Sequence, residues 1–119
     1  IKGGIRHISF PNNPAALKAM HKHFPKSYWS VVKPRKGLTG VTEPTTFITY
    51  DYMLWTHKKL SDKTAYTVAK VMHQQTKQLK GGGPLWKSYE GNSRLAKDQG
   101  MAYHPGAVKY YKEAGLWKR

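Results

Sequence analysis

Residues 33–44, KPRKGLTGVTEP, limit the fold of this chain more than any other stretch. Pro34 and Pro44 each remove a backbone donor and fix φ, while Gly37 and Gly40 add two points of backbone freedom. No helix or central strand runs through such a segment, and it carries no hydrophobic period. The chain is therefore divided by a loop into a short first part and a longer second part.

Before the loop, GGIRHISF (3–10) alternates Ile5, His7 and Ser9 with Arg6, Ile8 and Phe10, which predicts a short strand opened by a glycine pair. PNNPAALKAMHKHFP predicts a helix. Asn13 is its N-cap, Pro14 takes the tolerated first position, Pro25 ends it, and Ala16, Leu17, Met20 and Phe24 share one face. SYWSVV (27–32) is aromatic and β-branched, and reads as a strand.

After the loop, TTFITYDYMLW (45–55) is nearly continuous in β-formers, which predicts a long strand buried on both faces. SDKTAYTVAKVMHQQTKQLKGGG predicts one helix, capped by Ser61 and stopped by Gly81. Asp62 suits its positive end, and Lys77 and Lys80 suit its negative end. Ala65, Val68, Ala69, Met72, Thr76 and Leu79 form the inward stripe, with Tyr66 and Tyr111 also expected in the core. PLWKSYE and NSRLAK are short helical turns. The closing YHPGAVKYYKEAGLW is a helix with His104 as N-cap, Pro105 in the first turn and Gly115 as the left-handed stop. The order strand, helix, strand, loop, strand, helix predicts an α/β fold.

The totals narrow the chemistry. At 119 residues the chain holds one domain comfortably and two only with difficulty. It has no cysteine, hence no disulfide frame, thiolate zinc site or cysteine nucleophile. The six histidines do not group: His21 and His23, two apart on a helix, point away from each other, so capping or surface roles are expected and no metal. GNS (91–93) lacks the nucleophile-elbow pattern, no carboxylates pair at useful spacing, and GGG (81–83) reads as a helix stop. No catalytic residue, no cofactor and no enzymatic activity are expected.

Twenty-one Lys and Arg against six Asp and Glu give +15, which favours anionic partners: nucleic acid, acidic lipid or acidic protein. The charges are scattered apart from KPRK (33–36), Lys58–Lys59 and the row Lys63, Lys70 and Lys77 at heptad spacing, so a solvated surface is expected. Ile1 stands where a methionine would begin a chain, which leads us to expect a fragment.

Three stretches carry a resemblance. HPGAVKYYKEAGLW (104–117), KGLTGVTEPTTFITYDYMLW (36–55) and LSDKTAYTVAKVM (60–72, with Tyr66 at a tyrosine position) are similar to the solute-binding subunits of tripartite ATP-independent periplasmic (TRAP) transporters of the TAXI type. The likeness runs from about Gly37 to Arg119, and more loosely from Gly3. It implies the C-terminal portion of a two-lobe type II periplasmic-binding-protein-like fold. Residues 1–32 would end the second lobe, 33–45 would be the crossover hinge, and 46–119 would return to the first lobe. It further implies a periplasmic receptor that takes a small carboxylate or amino-acid-like solute and hands it to a TRAP-type membrane permease. The crossover loop of that family commonly has a tyrosine before Pro-Gly, where this chain has Leu38, Thr39 and Gly40.

Such a hinge borders the ligand cleft, so Arg35, Thr39, Gly40 and Thr42 become the expected ligand-binding residues: a guanidinium fork, two hydroxyls and an accessible backbone N–H. Strand edges meant for an absent half imply self-association. The alternative is a small basic nucleic-acid-binding module whose strand aromatics stack bases. On the leading reading no specific nucleic acid is expected.

Overall fold

A computed structural model describes residues 4–118. Gly3, with which the predicted first strand and the looser likeness begin, and residues 1, 2 and 119 of the outer predicted segments lie outside the described residues. Helix and strand are mixed, with a small two-stranded sheet, as an α/β chain requires. The chain divides into two compact units at the Met53–Leu54 bond.

In the first unit, α1 (Pro14–His23) starts as its sequence dictates: the Asn13 side chain accepts from the Ala16 amide at 2.9 Å, and Pro14 opens the helix. Met20 is buried on the predicted face, whereas Phe24 is 60% exposed. Strands β1 (Tyr28–Val32) and β2 (Thr45–Thr49) pair antiparallel, with Trp29 opposite Ile48 and Val31 opposite Thr46. Residues 33–44 are the connection between these two paired strands.

Two expectations are corrected here. Residues 4–10 form no strand. Among the described residues they are held by two backbone hydrogen bonds, His7 N–H to the Gly40 carbonyl (2.8 Å) and Phe10 N–H to that of Thr46 in β2 (3.0 Å). One of those acceptors sits in an irregular loop, so no ladder builds. Nor does the long strand 45–55 form: it stops at Thr49, and Tyr50, Tyr52, Leu54 and Trp55 are exposed. Burial on both faces needs layers on both sides, and β2 has one five-residue partner.

The second unit opens with α2 (Asp62–Gln74), whose Ser61 cap accepts from the Thr64 amide at 3.1 Å. The predicted single helix is interrupted at Gln75 and resumes as α3 (Thr76–Lys80). At the break the Thr76 hydroxyl donates to the His73 carbonyl, and Gly91 packs so tightly that a Cβ there would stand 2.8 Å from the same oxygen. Two 3-10 turns follow at Pro84–Trp86 and Ser93–Ala96. Helix α4 (Pro105–Glu113) ends in a Schellman motif: Leu116 N–H reaches the Tyr111 carbonyl, Gly115 N–H reaches that of Lys112, and Gly115 sits at φ 68°.

Small residues let α2 and α4 approach. Ala65 and Ala69 are buried on α2, and Gly106 on α4 lies so near α2 that a Cβ would overlap the Asp62 carbonyl oxygen and stand 2.8 Å from its carbon. Around this contact Ala69, Ala96, Tyr110 and Tyr111 form the core, with Tyr66, Tyr103, Leu116 and Trp117 packed on it. The rings meet edge to face, Tyr66 on Tyr110 at 5.3 Å and Tyr103 on Trp117 at 5.5 Å. Of the expected stripe, Met72 is half-buried and Val68 is 37% exposed.

Burial, helped by the neighbouring Tyr103, Tyr89 and Tyr110, pushes the Tyr111 phenol up from 10.0 to about 12. A raised folded value means the fold favours the protonated phenol. Its contribution is complete below pH 10 and lost as pH climbs through 10 to 12. Unfolding by denaturant across that window should show a steeper alkaline loss for the unsubstituted chain than for Tyr111→Phe. Parallel pH profiles would refute this placement of Tyr111.

Candidate functional site

The loop 33–44 is built from two differently held halves. In the first, the Arg35 carbonyl accepts from the Leu38 amide at 3.1 Å, and Gly37 at φ 83° completes the turn. In the second, Gly40 also stands at φ 83°, its carbonyl taking the His7 amide, and a Cβ there would come within 2.8 Å of the Ile5 carbonyl oxygen. Only a residue without a Cβ fits both constraints. Val41 is 5% exposed, and Thr45 closes the base by donating its hydroxyl to the Glu43 carbonyl at 2.8 Å. Segment 4–10 completes the clamp: Arg6 pairs with Glu43, the Ser9 hydroxyl accepts from the Thr46 amide, and the His7 ring stands on Phe47 at 5.2 Å.

The expected ligand residues lie on this loop as follows. Arg35, Thr39 and Thr42 are exposed, and among the described residues their side chains have no hydrogen-bonding partner. Gly40 is half-buried against segment 4–10 and anchors the loop's base there. The loop thus offers one guanidinium and two hydroxyls on a pinned base, a set suited to a carboxylate.

One group here escaped sequence reasoning. The Trp29 indole N–H is buried without an acceptor among the described residues, and its ring stacks on Phe10 at 6.0 Å. A buried donor left unmatched is costly. Sequence alone marks Trp29 as a strand aromatic and carries no signal for that vacant bond.

Other candidates lie in the second unit. One open depression of about 370 Å³ is lined by Ser93, Arg94, Ala96, Lys97, Asp98, Leu116 and Lys118. Another, of about 390 Å³, is lined by Val71, Gln75, Gln78, Leu79, Gly82 and Trp86. Neither includes a residue of the loop. Three of the histidines hydrogen-bond within the fold as follows. His73 Nδ1 meets the Tyr110 hydroxyl at 2.7 Å, and His21 Nε2 meets the Ser27 carbonyl at 2.9 Å. His104 Nε2–H donates to the Leu60 carbonyl while its Nδ1 accepts from the Gly106 amide. Among the described residues no three His, Asp or Glu converge.

Compared with known proteins, residues 3–115 match the model of the family described as NMT1-like. No curated protein matches the chain.

If steric fit holds the loop, Gly40→Ala should cost about 2 kcal/mol in denaturant unfolding. The Arg6–Glu43 pair is exposed on both sides, so a double-mutant cycle should give a coupling below about 1 kcal/mol. A coupling larger than the Gly40 effect would reverse this ranking.

Proposed function

The chain belongs to the NMT1-like family, a family of the periplasmic-binding-protein type, and from that premise we propose that it is the C-terminal part of a solute receptor of the TAXI type. The family match across residues 3–115 carries this reading, and with it a solute-binding function in the general sense. In the proposed whole, two lobes of a type II fold close on a small carboxylate or amino-acid-like solute. Residues 33–45 cross between the lobes, and a TRAP-type permease receives the solute outside the cytoplasmic membrane. Desolvation on closure strengthens the charged contacts, which is why a cleft suits so small a ligand. No chemical step on the solute is proposed.

Within this reading Arg35 grips a carboxylate through its fork, and Thr39 and Thr42 supply hydroxyls. Their exposure and lack of partners support the assignment. Exposed Tyr50 and Tyr52 support self-association of the 119-residue chain.

Isothermal titration calorimetry against a panel of dicarboxylates and amino acids tests the proposal. At least one should bind, and Arg35→Ala should weaken it by about tenfold or more, with a smaller loss for Thr39→Ala. Binding unchanged in both variants would take the loop out of the site. Absence of binding across the panel would count against the solute class itself.

A further inference from the structure

The heptad row of lysines lies outside the residues proposed to hold the solute, and the structure gives two of its members a setting on α2. Lys63 and Lys70 lie three residues before and four after Tyr66 on α2, which puts them on the same side of the helix as Tyr66. From α4, the Lys109 ammonium stands 5.9 Å from the centre of that ring. Lys77 lies beyond the break at Gln75, on α3. All four lysines are exposed. Glu113 accepts from the Tyr66 hydroxyl, and the exposed Asp62 lies four residues before Tyr66 on α2. The result is a cationic flank spanning two packed helices.

We propose that this flank docks on an anionic lipid surface. Two features select that occupant. The flank's cations are all lysine, a mobile point charge suited to an array of headgroups that can move. A fixed bidentate partner would call for arginine. Its one aromatic ring is occupied, edge-on against Tyr110, overlain by Lys109 and tied through its hydroxyl to Glu113, so it offers no platform for stacking bases. The inference stands apart from the identity of any solute.

Sedimentation with vesicles of phosphatidylcholine, with and without phosphatidylglycerol, at physiological salt gives the test. Binding should require phosphatidylglycerol and fall as salt rises. The triple variant Lys63→Gln, Lys70→Gln and Lys77→Gln should bind about a hundredfold more weakly, at roughly fivefold per lysine. A control triple variant at Lys18, Lys22 and Lys26, exposed in the first unit, has the same net charge and should bind nearly as the unsubstituted chain does. Equal losses in the two triple variants would overturn the proposal, because charge without position would then suffice. So would tighter binding to duplex DNA, an oligonucleotide or polyglutamate than to the acidic vesicles.

Discussion

The second unit depends on one close approach, the backbone of Gly106 at the start of α4 against the backbone of Asp62 at the start of α2. No side chain can intervene there, so the two helix beginnings lie almost in contact and the faces behind them are brought together. His104 locks the same corner by capping α4 through Nδ1 and reaching the Leu60 carbonyl through Nε2. With the helix starts fixed, Tyr110 and Tyr111 fall into the space beside Ala69 and Ala96. The Schellman turn at Gly115 then folds Leu116 and Trp117 back over the same cluster. The punctuation of residues 103–117 serves that docking: cap, close glycine, stop.

The first unit holds together by different means. Its buried residues include Ser27, Thr45 and Thr46 beside Met20 and Val41, so hydrogen bonding does much of what a larger apolar core would do. Ser27 donates to the Phe24 carbonyl, and Thr46 has both backbone groups taken by Ser9 and Phe10. Buried hydroxyls and amides are costly unless paired, and here they are paired. The loop that presents Arg35, Thr39 and Thr42 therefore has a fixed base and solvent-facing tips. A fixed base under exposed tips is the usual build of a surface loop carried on a scaffold.

Where a local signal determined the outcome, the sequence was legible. Asn13, Ser61 and His104 cap their helices as read, because capping is decided within three residues. Gly115 ends α4 for the same reason. What depended on distant partners was not legible. The run from Tyr50 to Trp55 has strand composition but no neighbour to pair with, and residues 4–10 alternate correctly yet meet a loop. The break at Gln75 follows from Gly91 packing against His73 and Thr76, some fifteen residues away. Of the candidate site, composition located the loop; the clamp by segment 4–10 and the vacant Trp29 donor are tertiary facts.

The measurement closest to the centre of this account is the stability of Gly106→Ala. Helix propensity alone says that alanine in place of glycine should stabilise a helix, by up to about 1 kcal/mol. The close approach says the opposite: the new methyl would collide with the Asp62 backbone, force α4 away from α2 and cost about 2 to 3 kcal/mol in denaturant unfolding. A loss of that size, with tryptophan fluorescence reporting a loosened core, is the predicted result. Unchanged or increased stability would contradict the contact on which the second unit is built.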